Sequence, residues 1–68
     1  MVYGTKVEIR GVGRLRARER TDRHEAKSRA GKMFHNDAVR SVCVYDEVGT
    51  VALYLRKGVN GVIRRESE

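Results

Sequence analysis

Charged and apolar residues alternate near the start of the chain. From Lys6 to Arg18 every even position except Val12 is charged, and the odd positions are apolar or glycine. A period of two is that of a β-strand with one buried face. The sequence Gly-Val-Gly at residues 11–13 interrupts the pattern and predicts a hairpin loop, because glycine adopts the left-handed backbone conformation that tight loops require.

The loop decides which residues face each other in this first hairpin. A three-residue loop at residues 11–13 places Arg10 opposite Arg14. The pairs that follow are Ile9 with Leu15, Glu8 with Arg16, Val7 with Ala17 and Lys6 with Arg18. Apolar side chains then meet apolar side chains, whereas a slip by one residue would mix the two faces. We therefore expect this register.

A second alternating segment covers residues 39–56 and is rich in β-branched residues, which also predicts a hairpin. Its turn is the sequence Asp-Glu-Val-Gly at residues 46–49, since aspartate is favoured at the first turn position and glycine at the fourth. Pairing Asp46 with Gly49 gives the facing pairs Val44 with Val51 and Val42 with Leu53. One face of this hairpin is then aliphatic. The other face is mixed and carries Ser41, Cys43, Tyr45, Thr50, Ala52 and Tyr54.

Between the two hairpins, residues 22–35 have helical spacing. Four apolar residues fall at i, i+4, i+7 and i+8 and form one stripe: Ala26, Ala30, Met33 and Phe34. Thr21 or Asp22 is the expected N-cap, and Asn36 is expected to adopt the left-handed conformation after the helix. Gly31 inside a helix costs about 1 kcal/mol relative to alanine, a cost that close approach of the helix to the sheet would explain.

These elements predict an α+β domain with a two-layer ββαββ fold, in which one helix packs on an antiparallel sheet made of two hairpins. The domain is expected to occupy residues 1–57. A flexible charged tail follows at residues 58–68, in which Val62 and Ile63 are candidates for a short extra strand. The expected core consists of Val7, Ile9, Leu15, Ala17, Ala26, Ala30, Met33, Phe34, Val42, Val44, Val51, Leu53 and Leu55.

Length and composition narrow the class of protein. A chain of 68 residues makes one small domain. The longest uninterrupted apolar run, Val51 to Leu55, is far shorter than the roughly 20 residues that span a bilayer, and the first residues lack the apolar stretch of a signal peptide. Cys43 is the only cysteine, which excludes an intramolecular disulfide and favours a reducing compartment. We expect a soluble, cytoplasmic protein with no membrane partner.

Positive charge is concentrated in one part of the chain. The net charge is +6, and eight basic but only three acidic residues lie between residues 13 and 32. Like charges that face each other across a hairpin are destabilising, so an acidic ligand would relieve them. The hairpin face therefore suits the nucleic-acid backbone, bound through phosphate contacts without sequence specificity. The candidate nucleic-acid-binding residues are Lys6, Arg10, Arg14, Arg16, Arg18 and Arg20.

Two other interpretations of these surfaces stay open. A charged strand face is also typical of the solvated side of a small fold, whose charge maintains solubility. On the second hairpin, Tyr45 and Tyr54 lie beside Cys43 and make a semi-apolar patch. If the two hairpins lie in one sheet, this patch adjoins the arginine face and suits base stacking on a single strand; otherwise it suits a protein partner or a homodimer contact. The alternative function is thus a protein–protein interaction module, a small inhibitor or adaptor that docks on an acidic protein surface or on a second copy of itself.

No catalytic signature accompanies these features. His24 and His35 lie near opposite ends of one predicted helix and do not converge on a metal, and one cysteine adds too little for a tetrahedral site. The glycines at residues 11–13 lack the pattern of a phosphate-binding loop. We therefore predict a non-enzymatic binding module with no catalytic residue, no metal, no cofactor and no small-molecule substrate.

Overall fold

The chain folds into an antiparallel sheet with one helix packed against one side of it. The computed structural model describes residues 1–67, apart from the side chain of Arg18. Its elements are β1 (Tyr3–Ile9), β2 (Gly13–Arg20), α1 (Arg23–Phe34), β3 (Val39–Asp46), β4 (Val51–Gly58) and β5 (Gly61–Glu66). The strand order is β2-β1-β3-β4-β5, and all neighbours are antiparallel. The predicted α+β class, with β-hairpins and one helix, is confirmed.

The finer prediction of a ββαββ order is not confirmed. The described residues run in the order ββαβββ, because β5 pairs with β4 beyond a two-residue turn that brings Gly58 opposite Gly61. β5 lies in the segment expected to be a flexible tail with the potential for an extra strand. Glu68, the last residue of that segment, lies outside the described residues. The two predicted hairpins join into one sheet through the pairing of β1 with β3, in which Val7 faces Val42.

The first hairpin does not have the predicted register. The observed pairs are Thr5 with Ala17, Lys6 with Arg16, Val7 with Leu15, Glu8 with Arg14 and Ile9 with Gly13, two residues from the expected pairing. The loop occupies residues 10–12, and the N–H of Val12 donates to the carbonyl oxygen of Ile9 across it, at 3.1 Å. The N–H of Arg10 donates to the carbonyl oxygen of Ala38, at 2.7 Å. Gly11 and Gly13 both have a positive φ. A shift by two leaves alternate side chains on their predicted faces.

The second hairpin is also shifted by two residues. The observed pairs are Ser41 with Arg56, Val42 with Leu55, Cys43 with Tyr54 and Val44 with Leu53. The predicted turn is present, since the N–H of Gly49 donates to the carbonyl oxygen of Asp46 at 3.0 Å. The strands close one residue later, because the N–H of Asp46 donates to the carbonyl oxygen of Thr50. The pairing shifts by one more residue at an irregularity between Val44 and Tyr45, where Tyr45 faces Val51.

The core lies between α1 and the inner face of the sheet, and α1 packs chiefly on β3. The buried hydrophobic residues of the described chain are Val7, Ala26, Ala30, Val39, Val42, Val44, Ala52, Leu53 and Leu55. Two expected core residues lie on the surface, with Leu15 48% and Val51 42% exposed. Leu15 lies on the edge strand, away from the cover of α1, and the irregular pairing turns Val51 outward. Sequence reasoning missed Val39 and Ala52, which are buried instead.

α1 begins at one of the predicted N-caps. The Asp22 carboxylate accepts hydrogen bonds from two backbone N–H groups of the first turn, at 2.8 and 3.2 Å. Ala26 and Ala30 are buried, as the apolar stripe predicts. The expectation of a left-handed residue after the helix is wrong, since Asn36 does not have a positive φ. The side-chain oxygen of Asn36 instead accepts a hydrogen bond from the N–H of Ala38. No helix in the described part of the chain is long and apolar enough to cross a membrane.

Side chains from the first turns of α1 contact the end of β5 and the residue after it. The Nζ atom of Lys27 lies 2.9 Å from one carboxylate oxygen of Glu66, and an Arg64 guanidinium nitrogen lies 2.9 Å from the other. The hydrogen bond from Lys27, followed by the one from Arg64, lowers the pKa of Glu66 from its ordinary 4.5 to about 2. The Arg23 guanidinium also donates to the backbone oxygen of Ser67. Three basic residues on this side, Arg23, Lys27 and Arg64, therefore have acceptors within reach.

Candidate nucleic-acid interface

The face of the sheet turned away from α1 gathers side chains from all five strands. Neighbours that pair across strands share a face, so the observed register defines rows of side chains. The central row consists of Arg16, Lys6, Cys43, Tyr54 and Arg65, in the order of the strands. The next row consists of Arg14, Glu8, Ser41, Arg56 and Ile63. We call these two rows, together with Tyr45, the open face.

Positive charge dominates the open face. Its exposed basic side chains are Lys6, Arg14, Arg16, Arg56 and Arg65. Glu8 is the one carboxylate in these rows; it is half-buried and accepts a hydrogen bond from the hydroxyl of Ser41 at 3.2 Å. Within the described part of the chain, none of the five basic side chains forms a salt bridge. The open face therefore carries an excess of positive charge over its one carboxylate, and this excess attracts anions.

Two tyrosines lie among these charges. Tyr54 occupies the central row, with Cys43 on one side and Arg65 on the other. The Tyr45 ring lies against the backbone of Gly4, since a Cβ atom at that glycine would come within 2.7 Å of the ring. The Nζ atom of Lys6 lies 5.1 Å from the centre of the Tyr45 ring, a cation–π distance. Both tyrosines are half-buried, so each offers only part of its ring to a ligand.

Shallow depressions flank Tyr54 on two sides. One has a volume of about 180 Å³, and its other lining side chains include Lys6, Glu8, Arg14, Ser41, Cys43 and Arg56. The other has a volume of about 380 Å³ and is lined by Val51, Arg65, Glu66 and Ser67 beside Tyr54. An aromatic ring between depressions that contain basic groups permits a base to stack while the neighbouring phosphates meet cations.

Cys43 lies at the centre of the open face but is not an activated nucleophile. Burial raises the pKa of its thiol, and the neighbouring Lys6 ammonium lowers that pKa only in part. The thiol is therefore protonated at neutral pH, and the thiolate is the reactive form. Among residues 1–67 no three His, Cys, Asp or Glu side chains are grouped as metal ligands would be.

The structure brings together part of the predicted nucleic-acid-binding set. Lys6, Arg14 and Arg16 lie on the open face, and Arg10 lies exposed in the loop between β1 and β2. The predicted tyrosine patch adjoins the basic residues of the first hairpin, because β1 pairs with β3 and so places Lys6 directly beside Cys43. The basic residues and the tyrosines form one continuous surface.

Arg20 does not share this surface. It pairs with Tyr3, which packs against the core, and its Nε atom lies 3.7 Å from a carboxylate oxygen of Glu25 on α1. The expectation that Arg20 projects with the other arginines is wrong, because an irregularity in the β1–β2 pairing beyond Ala17 reverses the alternation of side chains. Arg18 lies within that irregular part of β2, and its side chain is outside the described residues.

Sequence reasoning missed two basic residues of the open face, Arg56 and Arg65. Arg56 has the same parity as Tyr54 on β4, so the alternation along that strand was a usable signal. Arg65 reaches the open face because β5 pairs with β4 and places it opposite Tyr54. The Asn-Gly sequence at residues 60–61 was the signal for that hairpin.

Comparison with known proteins adds no further information. No protein-family model, no curated protein and no solved structure matches the chain. The candidate site is therefore defined by its geometry and charge.

Proposed function

We propose that the protein is a non-enzymatic module that binds single-stranded nucleic acid through its open face, without sequence specificity. The observation that supports this most directly is the set of five basic side chains around Tyr54, for which the described residues supply no salt-bridge partner. Guanidinium groups match the geometry of phosphate oxygens, and four of the five basic residues are arginines. Binding would replace the repulsion between Lys6 and Arg16, which face each other, by attraction to phosphate.

The tyrosines favour a single strand over a duplex. Aromatic side chains bind nucleic acid by stacking on bases, and the bases of a duplex are already stacked on each other. Tyr54 is half-buried within β4 and does not lie on a projecting element that could enter a groove of a duplex. Stacking on a ring does not depend on base identity, which is consistent with binding that lacks sequence specificity.

A salt titration tests the proposal. Fluorescence anisotropy of labelled mixed-sequence oligonucleotides would give the affinity for single-stranded DNA, single-stranded RNA and both duplexes between about 50 and 300 mM salt. Five phosphate contacts predict a slope of log K against log salt near −3.5, at about 0.7 per contact on a single strand. Tighter binding of single strands than of duplexes is the expected result.

Two results would contradict the proposal. One is the absence of sub-micromolar binding to every oligonucleotide at low salt, and the other is an affinity that does not change with salt. The alternative function, docking on an acidic protein surface, predicts instead that polyglutamate competes as well as an oligonucleotide of equal charge. Co-purification of one protein partner that survives nuclease treatment would also favour that alternative.

A further inference from the structure

The helix side of the sheet contains a second surface of different chemistry. Because α1 packs chiefly on β3, it covers only part of the inner face of β2, and a groove of about 490 Å³ lies between β2 and the helix. Most of its lining is apolar and comes from Val7, Ile9, Leu15, Ala17, Met33 and Val39. We call this the β2 groove.

Leu15 and Met33 are the exposed and adaptable parts of the β2 groove. Leu15 faces Val7 across the hairpin, on the inner side of the sheet, yet 48% of its surface is exposed. Met33 is half-buried on the opposite wall, and methionine adapts its unbranched side chain to different partners. Covering these side chains would remove apolar surface from water, which is favourable.

The β2 groove runs beside an unpaired strand edge. β2 pairs with β1 on one side and has no strand neighbour on the other within the described residues. The backbone groups along such an edge are a template for an additional strand, and extended peptides bind many sheet proteins in this way. An added strand would direct every second side chain toward Leu15 and Ala17 and the others toward the open face.

The charges of β2 restrict what such a strand contains. Arg14 and Arg16 project on the open face, and Arg16 also borders the β2 groove together with Lys32. A second copy pairing through its own β2 would set arginines against arginines, which is destabilising. β5 of a second copy is little better, because it carries Arg64 and Arg65.

We infer that the β2 groove binds an extended segment of an acidic protein partner in which apolar residues alternate with Asp or Glu. The segment adds to the edge of β2 as a further strand. Its apolar side chains enter the groove beside Leu15 and Ala17, and its carboxylates face Arg14 and Arg16. The apolar contacts of this interaction lie on the other side of the sheet from the proposed nucleic-acid site, whereas its carboxylates share Arg14 and Arg16 with that site.

A peptide titration followed by NMR tests the inference. The probe is a capped peptide of alternating valine and glutamate, and the controls are a peptide with the same composition in two blocks and a peptide of alternating valine and lysine. The alternating acidic peptide is expected to shift the backbone amide signals of β2 and of the second half of α1. Both control peptides are expected to bind at least about tenfold more weakly.

Two variants of the protein localise the contact. Leu15→Asp is expected to weaken binding of the alternating acidic peptide about tenfold, since an apolar contact is lost and a like charge is added. The matched control is Val62→Asp, which changes an apolar residue that is 61% exposed on β5, the opposite edge strand, and should alter the affinity less than about twofold. Circular dichroism checks that each variant folds, and Leu15→Thr replaces Leu15→Asp if it does not.

Several outcomes would overturn the inference. Equal binding of the block peptide would show that charge alone attracts the ligand, and an equal loss in Val62→Asp would show that the edge of β2 is not the site. Signals that shift only on the open face would lead to the same conclusion. A concentration-dependent dimer that Leu15→Asp dissociates would identify a second copy of the chain as the occupant.

Discussion

Basic residues lie on both sides of the sheet, but their surroundings differ. On the helix side Lys27 and Arg64 share the carboxylate of Glu66, and the Nε atom of Arg29 lies 3.8 Å from a carboxylate oxygen of Glu25. On the open face the described residues provide no salt bridge to any of the five basic side chains. Lys27, Arg64 and Arg29 are therefore paired with carboxylates of the protein, whereas the five basic side chains of the open face are left for an external anion.

This difference shows that the position of the carboxylates, rather than the number of cations, distinguishes a binding face from a solvated one. Glu25 pairs with Arg20 of β2, Glu66 of β5 pairs with Lys27 of α1, and Asp22 caps the helix. Asp46 uses its carboxylate to close the turn between β3 and β4. Most acidic side chains with described partners thus stabilise local structure, and the open face retains only Glu8.

Two neighbouring residues on β4 provide the sharpest test of the comparison. Leu53 is buried under α1, and Leu53→Ala is expected to lower the free energy of unfolding by about 2–5 kcal/mol. That loss approaches the whole stability of about 3–5 kcal/mol expected for a domain of this size, so the variant should be largely unfolded at 25 °C. Urea denaturation followed by circular dichroism measures the effect. A fully folded Leu53→Ala variant would contradict the burial described above.

Tyr54→Ala, in contrast to Leu53→Ala, should affect nucleic-acid binding more than stability. Removal of the ring is expected to weaken single-strand binding by about 1–3 kcal/mol, the range measured for base stacking on an aromatic side chain. The slope of affinity against salt should not change, since no phosphate contact is lost. Tyr54→Phe retains the ring and is the matched control, which should keep most of the affinity. An unchanged affinity in Tyr54→Ala would leave backbone contact as the sole mode of binding.

Charge-matched double variants compare the two faces directly. Arg16→Ala with Arg65→Ala removes two positive charges from the open face, and Arg29→Ala with Lys32→Ala removes two from α1. The open-face variant should bind about tenfold more weakly, with a salt slope shallower by about 1.4, or 0.7 per lost contact. The α1 variant should retain the slope of the parent protein. Equal losses in the two variants would indicate diffuse attraction to net charge rather than a defined face.

Two glycines on opposite sides of the sheet should respond differently to alanine. A Cβ atom at Gly31 of α1 would meet no atom within 4 Å, so the expectation of close helix approach at this residue is wrong. Gly31→Ala should therefore stabilise the protein by about 0.5–1 kcal/mol, measured by urea denaturation. Gly4→Ala would displace the Tyr45 ring, which a change in the ring proton signals of Tyr45 would report. A destabilised Gly31→Ala variant would contradict the open space at that position.

The smallest effect concerns pH and the helix side. Lys27 and Arg64 hold the pKa of Glu66 at about 2, below its ordinary value of 4.5. Because the folded-state pKa is depressed, the ionised carboxylate stabilises the fold above about pH 4.5, and this contribution is lost as the pH falls toward 2. The difference in unfolding free energy between the parent protein and Glu66→Gln should therefore be constant near neutral pH and shrink in acid. Thermal denaturation from pH 7 to pH 2 measures this difference. A difference that does not change with pH would show that the ion pairs of Glu66 do not contribute to stability.

Alternation of residues predicted the faces of the strands better than it predicted their partners. Lys6, Arg14 and Arg16 lie on one side of the sheet as expected, because a register shift by two preserves the face. The sequence did not mark the shift itself: the observed loop occupies residues 10–12, and the N–H of Arg10 donates to the carbonyl oxygen of Ala38, a residue far from it in the chain. The reversal at Arg20 likewise depends on an irregular pairing that no composition rule marks.

The extent of the candidate site depended on the order of the strands. From the sequence, the tyrosine patch was expected to adjoin the arginine face only if the two hairpins share one sheet, and Val62 and Ile63 were candidates for an extra strand. Pairing of β1 with β3 merged the two surfaces, and pairing of β4 with β5 added Arg65. The pairing of β1 with β3 joins distant parts of the chain, so local residue patterns carry little information about it, whereas the Asn-Gly sequence at residues 60–61 marked the β4–β5 hairpin.

The position of β2 at the end of the sheet links the two proposed surfaces. Arg14 and Arg16 lie on this edge strand, where they can contact phosphates bound on the open face and also carboxylates of an acidic strand added to the edge. Each ligand would neutralise two cations that the other uses, so each would weaken the binding of the other without any change in the fold. A partner peptide would then lower the affinity for nucleic acid by competing for the same two guanidinium groups.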